Sequence, residues 1–463
     1  MKETVSATQT GRVIFGLVAI LAPWFYLRWG GFNFSVGTSL SLVDLFLFAG
    51  AAYFAVRFSK GEITLKQTLQ GPQKWLFLFG SAFVLLGLLS GFTSVWADNR
   101  SLSWGALLSG LLQYAFVLLV LPVVAQAVLG GQQALSVVRI LALGYLLPML
   151  ANLLLLNPEF LPQISFMFTS VGRAIGSYGN ANSFAGVIAL VLPYYLYLAY
   201  IDEGRWQWVG IVGAAVSLFC LLLTASFGGY LVLAACIGVN LLLIVWKGHP
   251  LRTAGALRTM LVPTITILAI FVGIFTVSAL YAPPIQGALF SRLGAAAEPH
   301  SMGDLVAEDN YGSEGGISGL GQNVGSMSQR LDLIGRGFEL IGERGGGLFY
   351  GHGLRQTTMM DEFAFGDVHL DIHLVYQLLW VEGGAVFALT FVGYLATLLL
   401  FCLLQLRTRP GLAIAAATSV VAFGLMGMVM PHLYLRYFWV PLMPAMALAA
   451  GYFAPVKDKK KIP

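Results

Sequence analysis

Two histidines four residues apart, His369 and His373, open the stretch His369-Leu-Asp-Ile-His373-Leu-Val-Tyr-Gln-Leu-Leu-Trp-Val-Glu382-Gly-Gly. If the helix there begins early, that spacing puts both imidazoles on one face. With Asp367 and Asp371 alongside, the pair can ligate a metal. Alternatively one imidazole serves as a general base, since its ordinary pKa of about 6.5 lets it take a proton at neutral pH. A capping or interfacial histidine is the plain third reading. The spacing supplies no third ligand, so neither a metal nor any other cofactor is assigned.

Two arginines have the character of anion ligands. On a helix over 328–343, Arg336 has Asp332 one turn away, an i,i+4 pair. Arg330 has Ser326, Met327, Leu333 and Ile334 at the corresponding positions and no local carboxylate. An anion from elsewhere, a lipid headgroup or a substrate phosphate, would pair with it; a solvated face is the plain alternative. Arg173 sits in the Gly-rich run Arg173-Ala-Ile-Gly-Ser-Tyr-Gly-Asn180-Ala-Asn182-Ser, with no acidic residue between Glu159 and Asp202. A guanidinium stays protonated and its planar fork matches phosphate oxygens, so two converging arginines suit a diphosphate. Neighbouring glycines let backbone amides approach the same anion.

The elements that must hold these residues are apolar. The chain has 463 residues, 58% hydrophobic and 10% charged, in repeated apolar stretches of roughly 20 residues, the length that crosses a bilayer. Lipid requires backbone hydrogen bonds to close within each segment. The predicted fold is all-α, a single polytopic membrane domain over 1–463 with about 12 transmembrane helices. The predicted spans are 13–28, 36–56, 75–96, 102–129, 135–156, 183–201, 207–225, 229–246, 259–281, 384–405, 411–430 and 433–454. The first is read as an uncleaved helix, because no small-residue cleavage site follows Lys2 and Arg12. Cys220, Cys236 and Cys402 all fall in apolar segments, which predicts core packing rather than disulfides. The net charge of +5 comes with every Lys in a short juxtamembrane loop or terminal tail, so it does not point to nucleic acid.

With the N-terminus inside, 17 of the 26 basic residues and all nine Lys fall in cytoplasmic segments. The loop over 283–372 then faces outward. That loop concentrates the ionisable groups: 12 of the 21 Asp and Glu lie between Glu298 and Asp371. Within it, 295–326 lacks hydrophobic period and reads as loosely ordered. Residues 328–343 read as an amphipathic helix with Leu331, Ile334, Phe338 and Ile341 on its apolar face. Residues 157–172 read as a re-entrant or interfacial segment, and Asn182 or Ser183 as the N-cap of the sixth span. Among these spans, Asp44 alone sits well inside one, which weighs against a transport pathway.

Several motifs together resemble the O-antigen ligase and polymerase superfamily. They are Arg173-x-x-Gly-x-x-Gly-Asn180-x-Asn182, Leu-Thr224-Ala-Ser226-x-Gly-Gly, Ser-x-Arg330 opening a helix, Gly351-His-Gly, and His373-Leu-x-Tyr-x-Leu-Leu-x-x-Glu382-Gly-Gly. The resemblance covers about 170–405, and its most specific part is the spacing around His373. It implies a bacterial inner-membrane, multi-pass glycosyltransferase with cytoplasmic termini and a periplasmic active site. The implied donor is a glycan on undecaprenyl diphosphate, and the implied acceptor is a hydroxyl of a glycan or of lipid A-core. Arg173 and Arg330 would hold the diphosphate and His373 would activate the acceptor, without a metal and with inversion. Asn180, Asn182, His369 and Arg355 are secondary candidates for substrate binding. Phe227 stands where the family usually has Arg, and His369 is extra to the pattern. Polymerisation of repeat units, a lipid-linked glycan transporter and a non-catalytic envelope scaffold are the alternatives to ligation.

Overall fold

The computed structural model describes residues 2–24, 42–64, 71–98, 103–155, 169–170, 173–178, 180–247, 254–281, 327–343, 347–357, 364–365, 368–369, 372, 374–430, 433 and 436–451. In chain order the helices are α1 (Lys2–Leu21), α2 (Leu42–Ser59), α3 (Pro72–Asp98), α4 (Trp104–Leu129), α5 (Ala134–Leu154), α6 (Ala181–Ile201), α7 (Arg205–Thr224), α8 (Phe227–Lys247), α9 (Ala254–Tyr281), α10 (Met327–Glu343), α11 (Val375–Gly383), α12 (Ala385–Leu404), α13 (Pro410–Met426), α14 (Arg436–Trp439) and α15 (Met443–Ala449). Two hairpins of two-residue strands interrupt them. In one, β1 (Thr169–Ser170) pairs with β2 (Arg173–Ala174), and in the other β3 (Ala364–Phe365) pairs with β4 (Val368–His369).

Among the described residues, seven helices are long and apolar enough to cross a membrane: those of α3, α4, α5, α6, α7, α9 and α12. The protein is an all-α, multi-pass membrane protein. The expected segment 295–326 and all of the expected segment 157–172 except Thr169–Ser170 lie outside the described residues. Asp44, expected well inside a span, lies in the first turn of α2 and is buried. There the positive end of the helix dipole favours a carboxylate.

Helix α6 is the centre of the bundle, with 78% of its most apolar stretch buried, against 17% for Leu261–Ser278 of α9. Lipid tails are as apolar as leucine, so helices associate through close approach and interhelical polar bonds rather than through apolar burial. Both devices are present around α6. Gly210 and Gly213 of α7 lie where a Cβ would collide with the Ala199 backbone and the Tyr195 ring. Gly186 lies against Met426 and Phe438. The Tyr195 hydroxyl donates to Ala142 O (2.8 Å), Tyr194 to Pro441 O (2.9 Å) and Ser419 to Leu190 O (2.9 Å). These bonds fix α5, α13 and the turn before α15 around one helix. On the other side of the bundle, Phe83 of α3 stacks on Phe387 of α12 at 4.0 Å.

Candidate functional site

Three helix ends meet at Arg173. The turn after β2 is clamped from several directions. Gly176 N donates to Asn152 of α5 (3.2 Å), Ser177 donates to Pro23 O, and Tyr178 stacks on Phe184 and packs against Tyr437. Gly176 has φ +52°, and a side chain there would press into Phe184. Arg173, held half-buried by this turn, donates Nε to Thr224 O (2.7 Å) and Nη2 towards Asn182 Oδ1 (3.4 Å) and Ala225 O (3.5 Å). Its charge thus sits on the C-terminal carbonyls of α7, the negative end of that helix. Ala225 ends α7 in the left-handed conformation, φ 45°.

The same point gathers two helix N-termini. Asn180 caps α6, its Oδ1 accepting from Asn182 N (2.8 Å) and Ser183 N (3.3 Å). Ser226 caps α8, its Oγ accepting from Gly229 N (3.2 Å) and donating to Asn182 Oδ1 (2.8 Å). Asn182 therefore bridges Arg173 to the start of α8. Two helix N-termini and a guanidinium in one place favour negative charge.

A second node lies around Glu382. His352 N and Gly353 N donate to Val381 O (2.8 Å) and Glu382 O (2.9 Å), and a side chain at Gly351 would collide with the end of α11. This close approach, with φ +102° at Gly353, explains the Gly351-His-Gly sequence. The Glu382 side chain, 1% exposed, accepts from Thr357 Oγ1 at 2.7 Å. Gln356 brackets the backbone of Ser103, the N-cap of α4, accepting from its N (2.9 Å) and donating to its O (3.3 Å). Arg355 adopts the left-handed conformation at φ 61°, its Cγ against Gly110.

The two nodes are joined through the end of α13. Gly228 of α8 packs against Val429, and Val375 N, the first residue of α11, donates to Gly427 O at 2.7 Å. The Tyr376 hydroxyl donates to Gly424 O at 2.6 Å. Helix α10 lies on α11 with Leu333, Leu340 and Ile341 buried against Ile372, Leu378 and Val381. Gln377 Nε2 donates to Ile334 O at 2.6 Å. The start of α11, two residues after His373 in the chain, thus connects by contact to α8 beside Arg173 and to α10, whose first turn carries Arg330.

No family model matches the chain, and no curated protein is significantly similar to it.

The site residues expected from sequence do not all come together. Arg173, Asn180 and Asn182 meet at one node, with Asn180 rather than Asn182 or Ser183 as the cap. Asn180 has the extended backbone a cap requires, φ −150°, and its side chain reaches the two following amides. His369 lies on β4 and α11 begins at Val375, so the helical face that would pair it with His373 does not form. His373 and the side chains of His369, Arg330, Asp332 and Phe227 lie outside the described residues. Helix α10 forms where expected, but its buried face carries Leu333, Gly337 and Leu340 while Phe338 is exposed. Gly337 explains the rotation, because a Cβ there would press on Gln377 at 2.8 Å. The Glu382–Thr357 bond lies beyond the sequence reading; its signal in the sequence is a carboxylate two residues before an apolar span, next to a Gly-Gly bend.

That bond carries a stability prediction. Glu382→Leu leaves the Thr357 hydroxyl without its buried acceptor and is expected to cost about 1–3 kcal/mol, whereas Glu382→Gln keeps an acceptor oxygen and costs less. Thermal unfolding of the purified protein reads the difference. In a double-mutant cycle with Thr357→Val, a coupling energy indistinguishable from zero would refute the bond's contribution.

Proposed function

We propose that the protein is a metal-independent glycosyltransferase of the O-antigen ligase type. It moves a glycan from undecaprenyl diphosphate to an acceptor hydroxyl of lipid A-core at the periplasmic face of a bacterial inner membrane. In this reading about 12 helices span the membrane, both termini are cytoplasmic, and the 283–372 loop is periplasmic. The reading rests on the family resemblance. The observation that supports it is the run of contacts from Arg173 through Asn182, Ser226, Gly228, Val429 and Gly427 to the first residue of α11. It links an arginine and two helix N-termini, contact by contact, to the segment just after His373.

The division of labour comes from the chemistry. The donor's bond from the anomeric carbon to the diphosphate oxygen breaks, and the departing diphosphate gains negative charge. Arg173, Arg330 and the positive dipole ends of α6 and α8 stabilise that charge, which is the role a divalent cation otherwise plays. The acceptor oxygen attacks the anomeric carbon from the opposite side, and His373 takes its proton.

Reconstituted vesicles with undecaprenyl-diphosphate-linked glycan and lipid A-core test the reading. The wild-type protein is expected to transfer glycan in EDTA. His373→Ala and Arg330→Ala are expected to lose transfer, while His369→Ala keeps a measurable fraction and Arg336→Ala stays largely active. Transfer that vanishes in EDTA and returns with Zn²⁺ or Mn²⁺ would overturn the metal-free mechanism. Transfer to a second repeat unit in place of lipid A-core would overturn the acceptor.

A further inference from the structure

The end of the bundle away from Arg173, about 30 Å along the 21 residues of α6, carries a second cluster that glycan transfer does not use. Arg139 of α5 makes a two-point bond to Asp202, Nε to Oδ2 at 2.8 Å and Nη2 to Oδ1 at 2.6 Å. The Asp202 side chain is 6% exposed and also accepts from Glu203 N at 2.9 Å. Arg139 lies over the Trp206 ring at 5.1 Å, and Arg205 lies over the same ring at 5.5 Å. One indole thus holds two guanidinium groups, of which Asp202 directly neutralises one.

A third arginine joins them. Tyr197 and Ile201 at the end of α6 pack on Gly411, the second residue of α13 and two residues after Arg409. Burial pulls Arg409 below the ordinary guanidinium range while Tyr197 pushes it back up. Among the described residues, Arg139, Arg205, Arg407 and Arg409 stand at this edge with the carboxylates Asp202 and Glu203. Asp202 aligns Arg139, and the exposed Arg205 lies on the same Trp206 ring. Tryptophan and tyrosine at the end of membrane helices mark the headgroup level.

We propose that this cluster is a binding site for the phosphate headgroup of an anionic phospholipid. Arg205 and Arg409 contact the phosphate, Asp202 holds Arg139 in place behind them, and Trp206 and Tyr197 pack against the glycerol region. Arginine suits this task because its fork binds two phosphate oxygens at once. An exposed patch of basic side chains would attract anionic lipid in proportion to charge alone. Here Arg139, held by Asp202, and Arg205 share one ring, which predicts dependence on position as well as charge.

The test uses the full-length protein in detergent, with lipid retention read by native mass spectrometry. Dioleoyl phosphatidylglycerol is expected to be retained in preference to the phosphatidylcholine of the same chains. The double variant Arg205→Gln/Arg409→Gln is expected to lower phosphatidylglycerol retention about thirtyfold. Lys60→Gln/Lys74→Gln removes the same charge at the same end of the bundle. That end is shared because Arg57 bonds Ala127 O and Gln73 bonds Gln126. The lysine variant is expected to lower retention far less, because neither lysine belongs to the cluster. Equal losses in the two double variants, or equal retention of the two lipids, would overturn the proposal. Competition by millimolar inorganic phosphate as effective as that by phosphatidylglycerol would make this a free-anion site and overturn the lipid assignment. No outcome depends on glycan transfer, so the two proposals stand or fall separately.

Discussion

Gly213→Leu is expected to leave little folded protein. Its side chain would enter the space of the Tyr195 ring, and that ring has nowhere to go. Tyr195 is fully buried, and its hydroxyl is tied to Ala142 O at 2.8 Å. Gly210→Leu meets the Ala199 backbone instead, which yields even less. Overpacking of a close-packed interior costs about 1–3 kcal/mol where side chains can shift. With a locked ring on one side and backbone on the other, a loss above about 3 kcal/mol is expected here. Gly273→Ala is the contrast. A Cβ there meets nothing within 4 Å, and alanine in a helix gains roughly 0.5–1 kcal/mol over glycine. Monodispersity after extraction and thermal unfolding report both. If Gly213→Leu proved as stable as Gly273→Ala, the account of α6–α7 packing would be wrong.

Arg173→Ala is expected to damage the fold as well as any anion site. Its Nε bond to Thr224 O at 2.7 Å and the longer contacts of Nη2 tie β2 to the end of α7 and to Asn182. A hydrogen bond from a charged donor contributes about 1.5–3 kcal/mol, and compensation of the helix C-terminus adds roughly 0.3–1 kcal/mol. The variant is therefore expected to unfold at a lower temperature than wild type by an amount corresponding to about 2–4 kcal/mol. Arg173→Lys restores the charge but not the fork, and is expected to recover less than half of that loss. An unchanged unfolding temperature in Arg173→Ala would show that the guanidinium is not anchored on α7. This distinguishes Arg173 from Arg330, whose loss is expected to affect transfer at normal stability.

What could be read from the sequence divides by the range of the interaction. Helices follow from apolar stretches, because lipid leaves the backbone few alternatives. The amphipathic helix followed from spacing, but its facing depended on Gly337 meeting Gln377, a partner 40 residues away in the chain. Asn180, Asn182 and Ser183 are all competent caps, and local chemistry does not choose among them. The choice fell to Asn180 because Asn182 is engaged with Arg173 and Ser226. Arg139 and Asp202, 63 residues apart, carry no mutual signal in sequence, and neither do Glu382 and Thr357. The histidine pair misled for the opposite reason. A spacing of four carries meaning only on a helix, and His369 lies on a strand.

The enclosure of α6 has a consequence for how the protein is made. Its bonds to Ser419 and to Pro441 span 229 and 247 residues. At a synthesis rate of roughly 5–20 residues per second, α6 waits roughly 10–50 s in the membrane before those partners exist. Throughout that interval the Tyr194 hydroxyl and the face that α13 will cover lack those partners, whereas α7, Arg205–Thr224, follows directly in the chain. A nascent chain halted after α9 would hold an α6–α7 hairpin with one finished and one bare side. Biogenesis therefore includes an interval in which the most buried of the seven long apolar helices among the described residues is open to any insertase or neighbouring helix that can shield a buried phenol.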